Sequence, residues 1–304
     1  MRIALSTILL SCLTLHALSD PAARIGASPA WLLPVHPDQT RQPLPADISN
    51  GFYYDLQDRQ TNLPLETEYT HFIRHIVNAS GVQEGSEVSV TFSPQYQRVV
   101  FHRITILRDG AALDQLQPSR IKVVQEEADA GDYEYTGLKR AYLTLPDVRK
   151  GDRIDIAWSV IGFNPVFGSK YAARQYFTRP TAICNYFRTI ISSPGRPLRF
   201  VARNHAPVPA EQMTNGNLIY HWDNPPLVND DDGAEAPSWY DATPYVCVTE
   251  YKDWQAVADW GLATFNHYRF DLPPALLAKI AEWRKTAGDN KDLLANLATR
   301  FVQN

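Results

Sequence analysis

The chain has 304 residues, 44% of them hydrophobic and 20% charged, with a formal net charge of −4. That is enough apolar material for one or two ordinary globular domains. The mild acidic balance offers no basic footprint and excludes nucleic acid as an expected partner. The 22 prolines outnumber the 15 glycines, and 11% of residues are aromatic, which favours short strands and loops over helical bundles.

Residues 1–19 read as a secretory leader. Arg2 forms a short basic region, an apolar run follows from Ile3 to Leu18, and Ala17-Leu18-Ser19 supplies small residues before Asp20. No other stretch approaches the about 20 apolar residues a membrane helix needs. The expected protein is therefore exported, to the periplasm or beyond the cell, with no membrane span. A second reading takes Leu-Leu-Ser-Cys12 as a lipoprotein cleavage box, at the expense of an unusually short leader. Two cysteines then remain, Cys184 and Cys247. In an oxidising compartment they could pair; two buried thiols in strands is the other reading.

Residues 20–50 show no sustained period and are rich in proline, so they form an extended lead-in whose Trp31, Leu32 and Leu33 dock on the domain surface. From Gly51 to about Asp223 the signals are those of strands. In YTHFIRHIVNA, Phe72, Arg74 and Ile76 alternate with His71, Ile73 and His75. SEVSVTFSP places Val88, Val90 and Phe92 on one face. Asp109-Gly110 and Lys150-Gly151-Asp152 mark turns, and Ile154, Ile156 and Trp158 share a face beyond the second. CNYFRTIISSPG, PLRFVAR and NLIYHWDN add three strands. Strands without intervening helices imply a mainly β domain, an antiparallel β-sandwich over residues 51–224.

Residues 225–239 form an acidic, proline-bounded linker, and TPYVCVTEY is one further strand. The period then changes from 2 to 3.6. DWQAVADWGLATFNHY opens on Asp253 as N-cap and places Trp254, Val257, Ala258, Gly261, Leu262 and Phe265 on one face. PPALLAKIAEWRKTAG starts on prolines and ends on Gly288. DNKDLLANLATRFVQN starts on Asp289 or Asn290, with a stripe of Leu294, Leu297, Ala298 and Phe301.

The order of these pieces carries a resemblance. A strand-rich block leads to GDRIDIAWSVIGFNPVF, an acidic linker with PSW, VTEYKDWQAVADW, and two helices ending LATRFVQN. It resembles the front half of a bacterial exported family in which a β-rich domain of unknown function precedes a transglutaminase-like core. Residues 240–304 would then be the start of that α+β core. Such a core implies a Cys-His-Asp triad, with the cysteine at a helix N-terminus that favours the thiolate, and amide hydrolysis or acyl transfer through a thioester. The sequence ends before all three positions, so no catalytic residue is carried over. The resemblance thus implies a scaffold or substrate-presenting module, with the core expected in cis. The alternative is a complete, non-enzymatic envelope module that holds glycan or peptide; an adhesive role through an exposed strand edge is a third.

The candidate site residues each have a plain structural reading. Cys184 and Cys247 sit in strand-like surroundings and open no helix. His71 and His75 have the spacing of helical metal ligands, but on a strand they would lie about 13 Å apart, too far for one zinc. Asp230, Asp231 and Asp232 do not follow the calcium-loop pattern. Asn78-Ala79-Ser80 is a sequon expected to serve only as a turn. Trp158, Trp222, Trp239, Trp254 and Trp260 could line a groove, although packing explains them too, with Trp254 and Trp260 pinning the first helix against the sandwich. No catalytic, cofactor-binding or metal-binding residue, and no cofactor, is therefore expected.

Overall fold

The computed structural model describes residues 22–126, 136–229, 241–265 and 272–303. The expected leader lies outside them, as do Asp230, Asp231, Asp232 and Trp239. The strands in chain order are β1 (Ala23–Ile25), β2 (Phe52–Asn62), β3 (Thr67–Ile76), β4 (Glu87–Phe92), β5 (Arg98–Arg108), β6 (Ala111–Asp114), β7 (Lys122–Gln125), β8 (Lys139–Thr144) and β9 (Arg153–Ile161). They continue with β10 (Ala172–Tyr176), β11 (Thr178–Arg179), β12 (Tyr186–Ser192), β13 (Arg199–Arg203), β14 (Ala210–Thr214), β15 (Asn217–Asp223), β16 (Val228–Asn229) and β17 (Tyr245–Thr249). The helices are α1 (Ala79–Gly85), α2 (Trp254–Phe265), α3 (Pro274–Ala287) and α4 (Lys291–Gln303).

The protein is mainly β. One nine-stranded sheet runs β1-β5-β9-β3-β2-β12-β15-β14, with β6 hairpinned onto β5. Most neighbours are antiparallel, but β12 joins β2 in parallel, as β1 joins β5. Two further sheets, β4-β8-β7 and β10-β17-β13, are three-stranded.

Both small sheets cover the same face of the large one, as the registers show. Directly paired residues project to the same side. Val160 pairs with Glu68, Glu68 with Thr61, and Thr61 with Ile190. Val160 packs against the first core, in which Val88, Val90 and Phe92 of β4 meet Phe101, Ile104, Ile154 and Ile156 of the large sheet. Ile190 belongs to the second core, with Tyr220, Trp222, Val246 and Val248. The result is two β-sandwiches that share one sheet. The strand β17, which the sequence groups with the helices, is the middle of the second covering sheet.

The opposite face of the large sheet carries the lead-in. It starts at the sheet edge, where Gly26 extends the β1–β5 pairing by donating to the Phe101 carbonyl at 3.0 Å. Gln60 clasps Leu33, accepting from its N–H at 2.9 Å and donating to its carbonyl at 2.8 Å. The Asp38 N–H and carbonyl both bind the Asn185 amide, at 2.8 and 3.1 Å. The docking expected of Trp31, Leu32 and Leu33 is thus made chiefly by backbone polar groups that buried side chains satisfy.

One helix interrupts the strands, where alternation alone predicts none. Asn78 caps α1 by accepting from the Gly81 N–H at 3.2 Å, so the sequon residue starts a helix rather than a turn. The helix lies so close to the start of β2 that a Cβ on Gly81 would sit 1.9 Å from the Gly51 carbonyl oxygen. Gly51 itself has φ +71° and accepts from Val77 at 2.8 Å.

The chain divides into two compact units at Lys252/Asp253. The second is helical. Asp253 accepts from Ala256 N–H at 2.8 Å and Asn290 from Leu293 N–H at 3.0 Å, the caps that the sequence indicates. Gly288 ends α3 with φ +53°. Phe301 of α4 meets Trp283 of α3 edge-on at 5.2 Å. The apolar face of α2 is different: Trp254, Leu262 and Phe265 are 85%, 63% and 71% exposed. No helix among the described residues is long and apolar enough to cross a membrane.

Gly81→Ala should destabilise the chain by about 2 kcal/mol or more, the range of overpacking that backbone cannot relieve. Urea denaturation followed by tryptophan emission measures it; an unchanged midpoint would refute the close approach.

Candidate functional site: an open strip between two cores

On the shared face, three aromatic side chains that pack against the first core remain partly open to solvent. On β2, β3 and β9 the side chains there are Tyr54, Phe72 and Trp158, all half-buried. They form an edge-on ladder, Tyr54 to Phe72 at 5.3 Å and Phe72 to Trp158 at 5.4 Å, a geometry that ring quadrupoles favour. Arg74 anchors its end. Its guanidinium lies 5.0 Å over Phe52 and 5.3 Å over Phe72 and donates to the Gly85 carbonyl at 2.6 Å.

Beyond the ladder the strip turns cationic. Arg59 on β2 is paired directly with Arg188 on β12, so two guanidinium side chains leave adjacent strands on one side. Arg188 is 8% exposed and its Nε has no hydrogen-bond partner. Burial lowers its pKa, but Tyr186, Tyr171 and Glu68 more than offset that and leave it above the usual arginine range. Arg59 is exposed by surface area, yet burial and then Arg188 lower its pKa. Arg59 is thus accessible to solvent while protein atoms surround its stem. Past Glu68 and Val160 the strip ends in a recess of about 180 Å³ that Phe163, Lys170 and Tyr171 also line, below the about 300 Å³ of whole-ligand clefts.

The other face of the same strands is polar but closed. His71 Nε2 lies 2.9 Å from Asp155, which also accepts from Arg103 at 2.8 Å. Burial raises Asp155, but His71 and Arg103 outweigh it and hold the carboxyl below its ordinary range. Asp58 is the opposite case. Burial raises it to about 6, against Gln60 and His71, and its Oδ1 has no partner. The lead-in lies over this network through Gln60, so the network is structural.

The other sequence candidates find separate places. His75 Nδ1 is 2.6 Å from the Tyr53 hydroxyl and 3.9 Å from Asp55, so His71 and His75 serve two different networks. Among the described residues no group of three or more His, Cys, Asp or Glu is arranged to hold a metal. Cys184 and Cys247 are both free thiols and do not form the disulfide that export would allow. Cys184 is buried just before β12, and burial, then Asp55, push its thiol up to about 11, the reverse of an activated nucleophile. Cys247 lies in mid-β17. Trp222 is core, its indole N–H donating to the Pro207 carbonyl at 2.7 Å. Of the tryptophans proposed as groove-lining, Trp158 is on the strip.

The profile of one protein family, described as "Domain of Unknown Function with solved-structure structure (DUF3857)", matches residues 65–227. The chain belongs to the DUF3857 family. That match takes in β3 to β15 and so Glu68, Phe72, Trp158 and Arg188, while Tyr54 and Arg59 precede it. No curated protein matches the sequence. Among solved structures, a protein of Parabacteroides distasonis ATCC 8503 named a "putative protease" is 17% identical, with a TM-score of 0.60 over 84% of this chain and 50% of its own. Aminopeptidase A of Legionella pneumophila is 10% identical over 68% of this chain and 22% of its own, with a TM-score of 0.35. The M1 zinc metallopeptidase of Deinococcus radiodurans is 10% identical over 66% and 42%, with a TM-score of 0.30. The DUF3857 chain thus spans about half the length of the first of these, and shares its fold.

The strip residues Arg59, Arg188 and Glu68 were not singled out by sequence reasoning. One signal exists: Arg188 is the only charge in YFRTIIS, a strand buried at every position.

Asp58 yields a pH prediction. Its folded pKa is raised above the unfolded value, so the folded state holds a proton that the unfolded state has released. Stability therefore falls as pH rises from about 4 to about 6, by an amount on the order of 3 kcal/mol. Asp58→Asn should raise the thermal midpoint at pH 7.5 and leave it nearly unchanged at pH 4; an equal shift at both would contradict the assignment.

Proposed function

We propose that this DUF3857 chain is the exported, non-catalytic, substrate-presenting part of a longer transglutaminase-like protein that acts on amide bonds through a cysteine. The observation that carries the reading is the open strip. It offers aromatic faces, a cationic floor and a side-chain-sized recess in line across β2, β3, β9 and β12, which suits an extended peptide. Two further facts support it. The chain corresponds to half of a protein named a "putative protease". Cys184, buried next to the strip strands, is held protonated by its surroundings. A core in cis would supply the nucleophile.

The same aromatic ladder favours a second reading, in which binding of glycan or peptide is the whole function. Calorimetric titration of the purified chain with short peptides and with neutral oligosaccharides separates the two. Peptides should bind and oligosaccharides should not, and Phe72→Ala should weaken the peptide about tenfold, or about 1.4 kcal/mol. Binding of oligosaccharides alone would favour the second reading, and no binding of either would remove both. The chain alone should not cleave peptides; cleavage abolished by Cys184→Ala would overturn the non-catalytic assignment.

A further inference from the structure

The paired arginines narrow what the strip takes. Two like charges directly opposite on neighbouring strands destabilise a sheet, and a buried arginine without an ion partner is costly. Among the described residues neither Arg59 nor Arg188 makes an ion pair within 4 Å. Glu68 is within electrostatic range of both without bridging either. With its amide oxygen turned inwards, Gln57 accepts from Arg59 Nη2 at 3.2 Å and Nε at 3.3 Å, which orients that guanidinium. Arg188 Nε has no hydrogen-bond partner. Gln57 thus takes part of Arg59, and the Tyr186 and Tyr171 hydroxyls take part of Arg188, but neither guanidinium has a carboxylate partner among the described residues.

We propose that Arg59 and Arg188 bind the free α-carboxylate of a peptide, whose preceding residues lie along the Tyr54–Phe72–Trp158 ladder. Guanidinium groups match a carboxylate's two oxygens in paired hydrogen bonds. Glu68 beside them disfavours a dianion and so selects a carboxylate over a phosphate monoester. The recess past Glu68 and Val160 has room for one side chain. This inference rests on the reading of the strip as a peptide site and adds the chemistry of the peptide's end.

The test compares one peptide in two forms, with a free C-terminal carboxylate and with a C-terminal amide, by calorimetry on the full chain. The free acid should bind about tenfold or more tighter. Arg59→Gln, at an exposed position, should weaken the free acid about tenfold more than the amide, with thermal melting confirming that the variant is folded. Arg59→Lys should restore only part of the preference, because it keeps the charge and loses the fork. Equal affinity for acid and amide would overturn the inference and leave the peptide site standing. Failure of both forms to bind would remove the site and the inference together. Inorganic phosphate that displaces the acid more effectively than acetate does would also overturn it, in favour of a phosphate ligand.

Discussion

The parallel pairing of β2 with β12 is the constraint from which the rest follows. Parallel neighbours cannot be joined by a tight turn, so the chain between them must leave and return. On the way it builds β3 to β11. The two halves of the large sheet therefore arrive from different parts of the sequence, each with its own covering sheet and its own core. At the seam where they meet Arg59 is exposed and Arg188 is buried. Arg59 and Arg188 are a directly paired couple on that seam.

The seam strands are polar on both sides, and the two sides are resolved differently. On one face Asp58, His71, Arg103, Asp155 and Gln60 are linked beneath the lead-in, with Asp58 Oδ1 alone among them left unmatched. There the buried acid Asp155 is stabilised by its cationic neighbours, whereas Asp58 is the group whose charge the fold tolerates least. On the other face the charges are left open beside an aromatic ladder. Buried polar groups that find partners are structure; those that face a cleft without acceptors are where a ligand has work to do. The distinction is one of satisfaction rather than residue type, since both faces contain arginine and acid.

Much of the fold was legible from period and punctuation. Val88, Val90 and Phe92 do share a buried face, Ile154, Ile156 and Trp158 do share another, and Asp253, Asn290 and Gly288 do punctuate the helices. The central strand β2 was not, because Phe52–Asn62 reads FYYDLQDRQTN. Its polar residues serve networks on both faces, so no apolar alternation marks it, and the bulge between Tyr54 and Leu56 breaks the phase further. The site was illegible for the same reason. Arg59 and Arg188 stand far apart in sequence and meet only through a parallel register. Trp158 was legible as a groove candidate, but nothing local separates it from Trp222, which the fold buries.

That contrast offers the most direct test of the central claim, that the seam between the two cores is where a ligand binds. Isotope-edited NMR resolves each tryptophan indole N–H. On addition of a peptide with a free carboxylate, the Trp158 signal should move in proportion to occupancy while that of Trp222, held on the Pro207 carbonyl, stays in place. Movement of the Trp222 or Trp254 signal with Trp158 silent would contradict the account.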